Sequence, residues 1–375
     1  MSKRFYLVAG EPSGDRHAAE LAKALNQRAP GSVIKGVGGR HLRAAGQDQL
    51  FDLAEHAVVG LVDVLKNYRK FRQMFYDVLS DIQQCQPDAV VLVDFPGFNL
   101  RLAKQIRKRH PQVKLVYYIA PQVWAWKAGR AKTMEKLLDL LLVIFPFEET
   151  WFNQNVPALP TLWVGHPNLD AWNSSSMLPY QERENTLILL PGSRRKEIQY
   201  HLPVFVEALK QLHPQHPELE FLLLAPDDEK AAYIKEELKH FEELPHINVE
   251  TNYHLTRLSH SRLAWVASGT ATLECAMAGL PMLVIYKTQP LTWWVGKMLV
   301  KLPYLSMVNV VAEKKVVAEF LQADAVPVAF SEATCQLLNS PASLNKMHAD
   351  LVRLTSELKS SRGASAQAAE AIFNL

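Results

Sequence analysis

Three side chains stand where charge can be put to chemical use: Asp94, Arg194 and Glu274. Glu274 lies in Val266-Ala-Ser-Gly-Thr-Ala-Thr-Leu-Glu-Cys275. There an apolar run reads as a strand ending, and Ser268-Gly269-Thr270 reads as a turn that caps a helix. A helix start beyond a strand's carboxyl end offers free backbone N–H groups and a positive dipole end to a phosphate. Thr270 and Glu274 are four apart and share a face of the first turn, so the carboxylate is placed to accept hydrogen bonds from two sugar hydroxyls. An ordinary capped helix would explain a lone Gly-Thr; the Glu one turn in tips the pattern toward a pocket for a nucleotide's ribose and diphosphate. Leu190-Pro-Gly192-Ser193-Arg194 repeats strand, turn and cap, with Arg194 able to make two parallel charge-assisted bonds to phosphate oxygens. Arg195 and Lys196 fit a solvated helix face. Asp94 ends the run Val91-Leu-Val93, where a carboxylate can take a proton from an incoming hydroxyl. An Asp that merely caps the next turn satisfies the same pattern.

Other segments suggest binding surfaces. Gly10-Glu11-Pro-Ser13-Gly14-Asp15 follows an apolar run and opens a helix, with Ser13 the expected cap. Glu11 and Asp15 oppose an anion, so the loop suits an acceptor's hydroxyls; a plain turn fits equally. In Gln122-Val-Trp124-Ala-Trp126 the indoles are placed to pack on a sugar ring or acyl chain, although core packing is the commoner use of tryptophan. Segment 58–72 runs from apolar to basic: Val59, Leu61, Val62 and Leu65 lie beside Lys66, Arg69 and Lys70. That mixture suits a helix on an anionic membrane surface. Segment 291–301, with Trp293, Trp294 and Lys297, is a second candidate, and a core helix with a charged flank explains either one alone.

Positioning these residues requires ordered elements. Strand-like runs at 4–9, 33–37, 89–93, 114–118 and 140–144 alternate with helical patterns at 14–28, 59–84, 98–110 and 128–138. The rhythm restarts with strands at 186–190, 219–224, 247–250, 263–266 and 282–286. Helices fit 196–212, 229–241, 270–278 and 292–301, with more helix from 314 onward. Such alternation implies parallel sheets with helices on both faces. The expected domains are 1–168 and 182–345, with C-terminal helices over 346–375 that can pack back on the first domain. Strand carboxyl ends should line a cleft between two doubly wound domains. A chain of 375 residues suits two such cores. A net charge of +3 is too small to argue for nucleic acid. Three scattered cysteines make a disulfide framework unexpected and the cytosol the natural compartment. No apolar run reaches the roughly 18 residues of a spanning helix, so membrane contact is expected to be peripheral. No metal-ligand spacing stands out, and neither a metal nor a cofactor is expected.

Taken together, blocks 7–15, 59–65, Asp94-Phe-Pro-Gly-Phe-Asn99, Pro121-Gln-Val-Trp-Ala-Trp126, Phe145-Pro-Phe-Glu148, Gly165-His166, 190–194, 268–271, 273–275 and Val308-Asn-Val-Val311 resemble the lipid-A-disaccharide synthase family nearly end to end. The resemblance implies an α/β fold of GT-B architecture, two Rossmann-like domains facing across a cleft. It implies transfer of 2,3-diacylglucosamine from its UDP derivative to 2,3-diacylglucosamine 1-phosphate, giving the β-1,6-linked disaccharide 1-phosphate and UDP. Catalysis carries over onto Asp94, Arg194, Glu274 and Asn309. The donor is expected on Gly192, Ser193, Arg194, Ser268, Gly269, Thr270, Glu274 and Asn309. The acceptor is expected on Gly10, Glu11, Ser13, Gly14, Asp15, Gln122 and Trp124. The implied setting is the cytoplasmic face of the inner membrane, with a homodimer kept as an option. Two positions depart from the pattern: Gly97 stands where some members carry Asp, and Arg195-Lys196 replaces smaller residues, which bears on donor affinity. The alternatives are a UDP-N-acetylglucosamine 2-epimerase, the peptidoglycan glucosaminyltransferase, or a non-catalytic module that binds UDP-sugars or lipid.

Overall fold

The computed structural model describes residues 2–57, 68–170, 172, 177–251, 255–299 and 302–375. The chain divides into two compact units, Met1–Ala171 with Leu358–Leu375, and Trp172–Glu357. The expected C-terminal segment 346–375 is therefore split between them. Among the described residues no helix is long and apolar enough to cross a membrane.

The first unit is a parallel sheet of seven strands. They are β1 (Arg4–Ala9), β2 (Val33–Gly38), β3 (Asp48–Asp52), β4 (Ala89–Val93), β5 (Lys114–Tyr118), β6 (Leu140–Val143) and β7 (Thr161–Trp163). Their order is β3-β2-β1-β4-β5-β6-β7. Central strands β4 and β6 are fully buried, as continuous apolar runs covered on both faces must be. The helices are α1 (Pro12–Arg28), α2 (Arg40–Ala44), α3 (Leu53–Ala57), α4 (Tyr68–Cys85), α5 (Pro96–Arg109), α6 (Gly129–Leu137) and α7 (Pro146–Asn155), with α16 (Ala364–Phe373) returning from the chain's end. Proline begins α1, α5 and α7, where its missing N–H has no intrahelical partner to lose. Helix α16 packs on α1, and the Asp170 carboxylate fixes its start by accepting the Ala364 and Ser365 N–H groups at 2.7 and 2.9 Å.

The second unit holds six parallel strands in the order β10-β9-β8-β11-β12-β13. These are β8 (Glu184–Leu190), β9 (Glu220–Leu224), β10 (Ile247–Glu250), β11 (Ser261–Ala267), β12 (Met282–Tyr286) and β13 (Ala318–Leu321). Helices α8 (Arg195–Leu212), α9 (Asp228–Leu238), α10 (Leu255–His260), α11 (Thr270–Met277), α12 (Pro290–Leu299), α13 (Met307–Ala312), α14 (Pro327–Leu338) and α15 (Pro341–Glu357) accompany them. Trp265 of β11 is wholly buried against Phe205 and Phe330, and its indole N–H donates to Thr334 Oγ1 at 2.9 Å.

In each sheet the connection reverses direction at one place, between β1 and β4 and between β8 and β11. Ligands of open α/β sheets bind at the carboxyl ends of the strands flanking such a switch point. The loops there begin at Gly10, Asp94, Pro191 and Ser268, the segments singled out for chemistry.

Of the expected membrane-contact residues, Val59, Leu61, Val62, Leu65 and Lys66 lie outside the described residues. Arg69 and Lys70 are exposed in the first turn of α4.

Candidate active site

In the first unit the chain leaves β4 through two successive left-handed residues, Asp94 (φ 47°) and Phe95 (φ 48°). Side chains disfavour that conformation by about 1–2 kcal/mol per residue, so the turn needs external support. Tyr117 Oη donates to the Asp94 carbonyl at 2.5 Å, and Asn99 Nδ2 donates to it at 2.8 Å. The Asp94 N–H donates to Tyr118 O at 3.0 Å. The loop after β1 interlocks with this turn: a Cβ on Gly10 would lie 2.2 Å from the Phe95 ring. A Cβ on Gly14 would lie 3.7 Å from Val93 O, an ordinary contact, so Gly10 is the glycine that this interlock requires.

The turn aims Asp94 into a pocket of about 260 Å³, shared with Ile119, Gln122, Trp126, Arg130 and Glu148. Burial, and then the like charge of Glu11, push its carboxyl up from 3.8 to about 6 against the Phe95 N–H, which favours the anion. That value suits a base that works near neutrality. Glu148 is the second carboxyl of the pocket. It accepts Trp124 Nε1–H at 2.9 Å and the Ile144 and Phe145 N–H groups at 3.2 and 3.1 Å. Burial still raises it to about 7.

In the second unit the loop after β8 does not end in a serine cap. Helix α8 starts at Arg195, and Glu197 closes its first turn by accepting the Ser193 and Arg194 N–H groups at 3.0 and 3.2 Å. Gly192, at φ 119°, admits this, since a Cβ there would meet Glu197 Oε2 at 2.6 Å. Arg194 pairs with Glu197 Oε1 at 2.8 Å while its side chain remains 82% exposed, a weak tie that leaves the guanidinium accessible. Buried His201 braces the loop. Its Nδ1–H donates to Pro191 O at 2.6 Å while Nε2 accepts the Lys287 N–H at 3.0 Å, so the ring is the neutral Nδ1–H tautomer. Its pKa is lowered, chiefly by burial.

The loop after β11 differs. Gly269 (φ 157°) and Thr270 are exposed at the start of α11, and no side chain caps that start. Ser268 Oγ donates to Leu305 O at 3.2 Å instead. Glu274 is half-buried one turn further on. The segment that Ser268 grips is held by Glu319 of β13, which accepts from Leu305 N, Ser306 N, Ser306 Oγ and Asn309 Nδ2 at 2.7–3.0 Å.

Comparison with known proteins assigns this architecture. The family model described as lipid-A-disaccharide synthetase matches residues 5–373. Lipid-A-disaccharide synthase 1 of Legionella pneumophila strain Philadelphia 1 is 36% identical, over 96% of this chain and 94% of its own length. Lipid-A-disaccharide synthase of Coxiella burnetii strain CbuG_Q212 is 36% identical over 100% and 99%. The chain belongs to the lipid-A-disaccharide synthetase family. Among solved structures, Neisseria meningitidis UDP-GlcNAc 2-epimerase superposes with a TM-score of 0.63 at 12% identity, covering all of both chains. Acinetobacter baumannii MurG gives 0.58 at 13%, again covering both chains fully. At that identity the likeness concerns the fold alone, and it bears out the expected two-domain α/β class.

Against this family background several expected site residues need correction. The Asn309 side chain is wholly buried and fully engaged. It donates to Val317 O and Glu319 and accepts the Val316 and Val317 N–H groups at 2.7 and 3.0 Å. No donor or acceptor is left for a sugar or phosphate, so Asn309 positions its loop. Asp15 is mostly committed to structure: its oxygens accept the Gly39, His41 and Leu42 N–H groups at 2.7–3.1 Å, holding the start of α2. Ser13 caps nothing, because α1 begins at Pro12 after Glu11. Trp124 is tied to Glu148 and packs edge-on against Phe147, so Trp126 is the indole that lines the Asp94 pocket, beside Gln122. Glu148, Glu197, His201 and Glu319 were not singled out. Glu148 and Glu197 share a local signal, an acidic residue at the third position of a helix; His201 and Glu319 have none.

Proposed function

We propose that this chain transfers 2,3-diacylglucosamine from UDP-2,3-diacylglucosamine to 2,3-diacylglucosamine 1-phosphate, with inversion, yielding the β-1,6-linked disaccharide 1-phosphate and UDP. The observation that carries the mechanism is Asp94: a carboxyl at the switch point, facing a sugar-sized pocket and raised to about 6. As carboxylate it takes the proton of the acceptor's 6-hydroxyl. The oxygen attacks the anomeric carbon of the donor, and the bond to UDP breaks with the electron pair leaving on the diphosphate.

The first unit is then the acceptor side and the second the donor side. Arg194 exchanges its exposed contact with Glu197 for the diphosphate, and the uncapped start of α11 adds backbone N–H groups to the developing charge. Glu274, on the face of α11 that Thr270 begins, holds the ribose. Asn309 and Glu319 act through the loop they fix. Acylated substrates reside in a bilayer, and we assign the chain to the cytoplasmic surface of the inner membrane. Support comes from α12, where Trp294 and Met298 are 65% and 73% exposed beside exposed Lys297, and from Arg69 and Lys70 of α4. Apolar insertion next to cationic side chains suits an anionic interface.

The test is UDP release by the purified protein in detergent with EDTA present. Release that requires both lipids, with a disaccharide phosphate seen by mass spectrometry, is the expected result. UDP-sugar turnover without the acceptor would point to another reaction on the same fold and sink the proposal.

A further inference from the structure

The pocket beside Asp94 contains a cation that no carboxylate of the described residues pairs with. Arg130 stands in the first turn of α6 and lines the pocket, half-buried, together with Asp94 and Gln122. Its guanidinium lies 5.7 Å from the Trp126 ring centroid, and the same ring carries Lys127 Nζ at 4.2 Å, so one indole orients two positive charges. Arg107 of the same unit shows the ordinary alternative, being held by Asp139 at 2.6 Å and by neighbouring carbonyls. Glu148 also lines the pocket, but its oxygens are taken by Trp124, Ile144 and Phe145 N–H groups. A half-buried guanidinium left uncommitted in a concave site is matched by an anion, and its planar donor fork fits phosphate.

The pocket thus presents a carboxylate that can accept a hydroxyl's proton and a guanidinium that can hold a dianion. At about 260 Å³ it is smaller than the roughly 300–1,000 Å³ of most ligand pockets, enough for one sugar ring whose acyl chains lie outside. We propose that Arg130 is the acceptor-specificity residue of this enzyme and binds the phosphate monoester on the sugar whose hydroxyl Asp94 deprotonates. The assignment rests on the acceptor reading given above. It excludes the other phosphate source, the donor's diphosphate, which is assigned to Arg194 and α11 in the second unit.

The experiment compares kcat/KM for 2,3-diacylglucosamine 1-phosphate with that for 2,3-diacylglucosamine lacking the phosphate, both with UDP-2,3-diacylglucosamine. It is run on wild type, on Arg130→Met, which keeps an aliphatic stem over Trp126, and on Arg130→Lys. Charge-assisted hydrogen bonds correspond to about 10- to 100-fold in binding. Wild type should prefer the phosphorylated acceptor, R130M should lose about that much of the preference, and R130K should recover part of it, with the donor KM unmoved in both. An R130M enzyme that keeps the wild-type preference overturns the assignment and leaves the acceptor reading intact, as does a change confined to the donor KM. A wild type that uses both acceptors equally, or neither, overturns the acceptor reading and Arg130's role with it.

Discussion

Replacing Asp94 by Asn should abolish turnover and at the same time stabilise the protein, by an amount that depends on pH. The folded protein holds this carboxyl at about 6, against 3.8 for the unperturbed group, mainly because it is buried and next because Glu11 is near. A raised folded-state pKa favours the protonated acid. Its stabilising contribution is complete below about 3.8 and disappears as pH rises through about 6. At pH 8 wild type therefore bears the full penalty of a desolvated charge, about 3 kcal/mol from that pKa difference, and screening at the partly open pocket brings this nearer to 2. At pH 5 about half of it applies. Asn has no charge to bury and escapes the penalty at every pH. Urea unfolding of wild type and D94N at pH 5 and pH 8 reads this directly: the variant's advantage should grow with pH. Its kcat should fall by at least about 100-fold, the usual weight of general base catalysis. Wild-type kcat/KM should itself drop as pH falls below about 6. A stability gap equal at both pH values, or a D94N enzyme with near-normal turnover, would refute the reasoning.

Asn309→Ala should lower stability by about 2–4 kcal/mol, because it removes four hydrogen bonds from a wholly buried site and strands the Val316 and Val317 N–H groups; a thermal melt unchanged within 1–2 °C would contradict this. Gly10→Ala should cut kcat by about tenfold or more with the fold preserved in circular dichroism, since the new methyl displaces Phe95 and with it the Asp94 turn; unaltered kinetics would show that the interlock is dispensable. Arg194→Ala should raise the donor KM by about 10- to 100-fold and leave the acceptor KM near its wild-type value, and the reverse pattern would reassign the clamp. Trp294→Ser combined with Met298→Ser should weaken cosedimentation with anionic vesicles, and unchanged cosedimentation would remove α12 from the membrane surface.

Both sheets were legible because buried parallel strands must be apolar throughout, and runs such as Ala89–Val93 and Leu140–Val143 show it plainly. Edge strands β3, β7 and β13 carry no such pattern. They are short, only partly buried and mixed in character, as Ala-Glu-Phe-Leu in β13 illustrates. The loops that carry chemistry were legible for a related reason: a polar residue directly after an apolar strand is conspicuous. What that polar residue does there is a separate matter. Asp94 and Asp15 both follow strands in Gly- or Pro-containing loops, yet Asp15 is consumed by N–H groups more than twenty residues away, a partnership that no local pattern reveals. Asn309 was hidden in the same way by Glu319 and Val317, and Trp124 by Glu148.

The return of α16 to α1 has a consequence for how the polypeptide matures. Ala18, Leu21, Ala22 and Leu25 of α1 are buried in the finished unit, as are Ala364, Ala368, Ala369 and Ile372 of α16. On a ribosome adding about 5–20 residues per second, the stretch from 172 to 357 takes about 10–40 s to synthesise. The second unit, continuous in sequence, can form during that interval while the face of α1 that α16 covers stays open. Until α16, made after the whole of the second unit, packs on α1, the first unit is the part of the nascent chain open to chaperones and to aggregation.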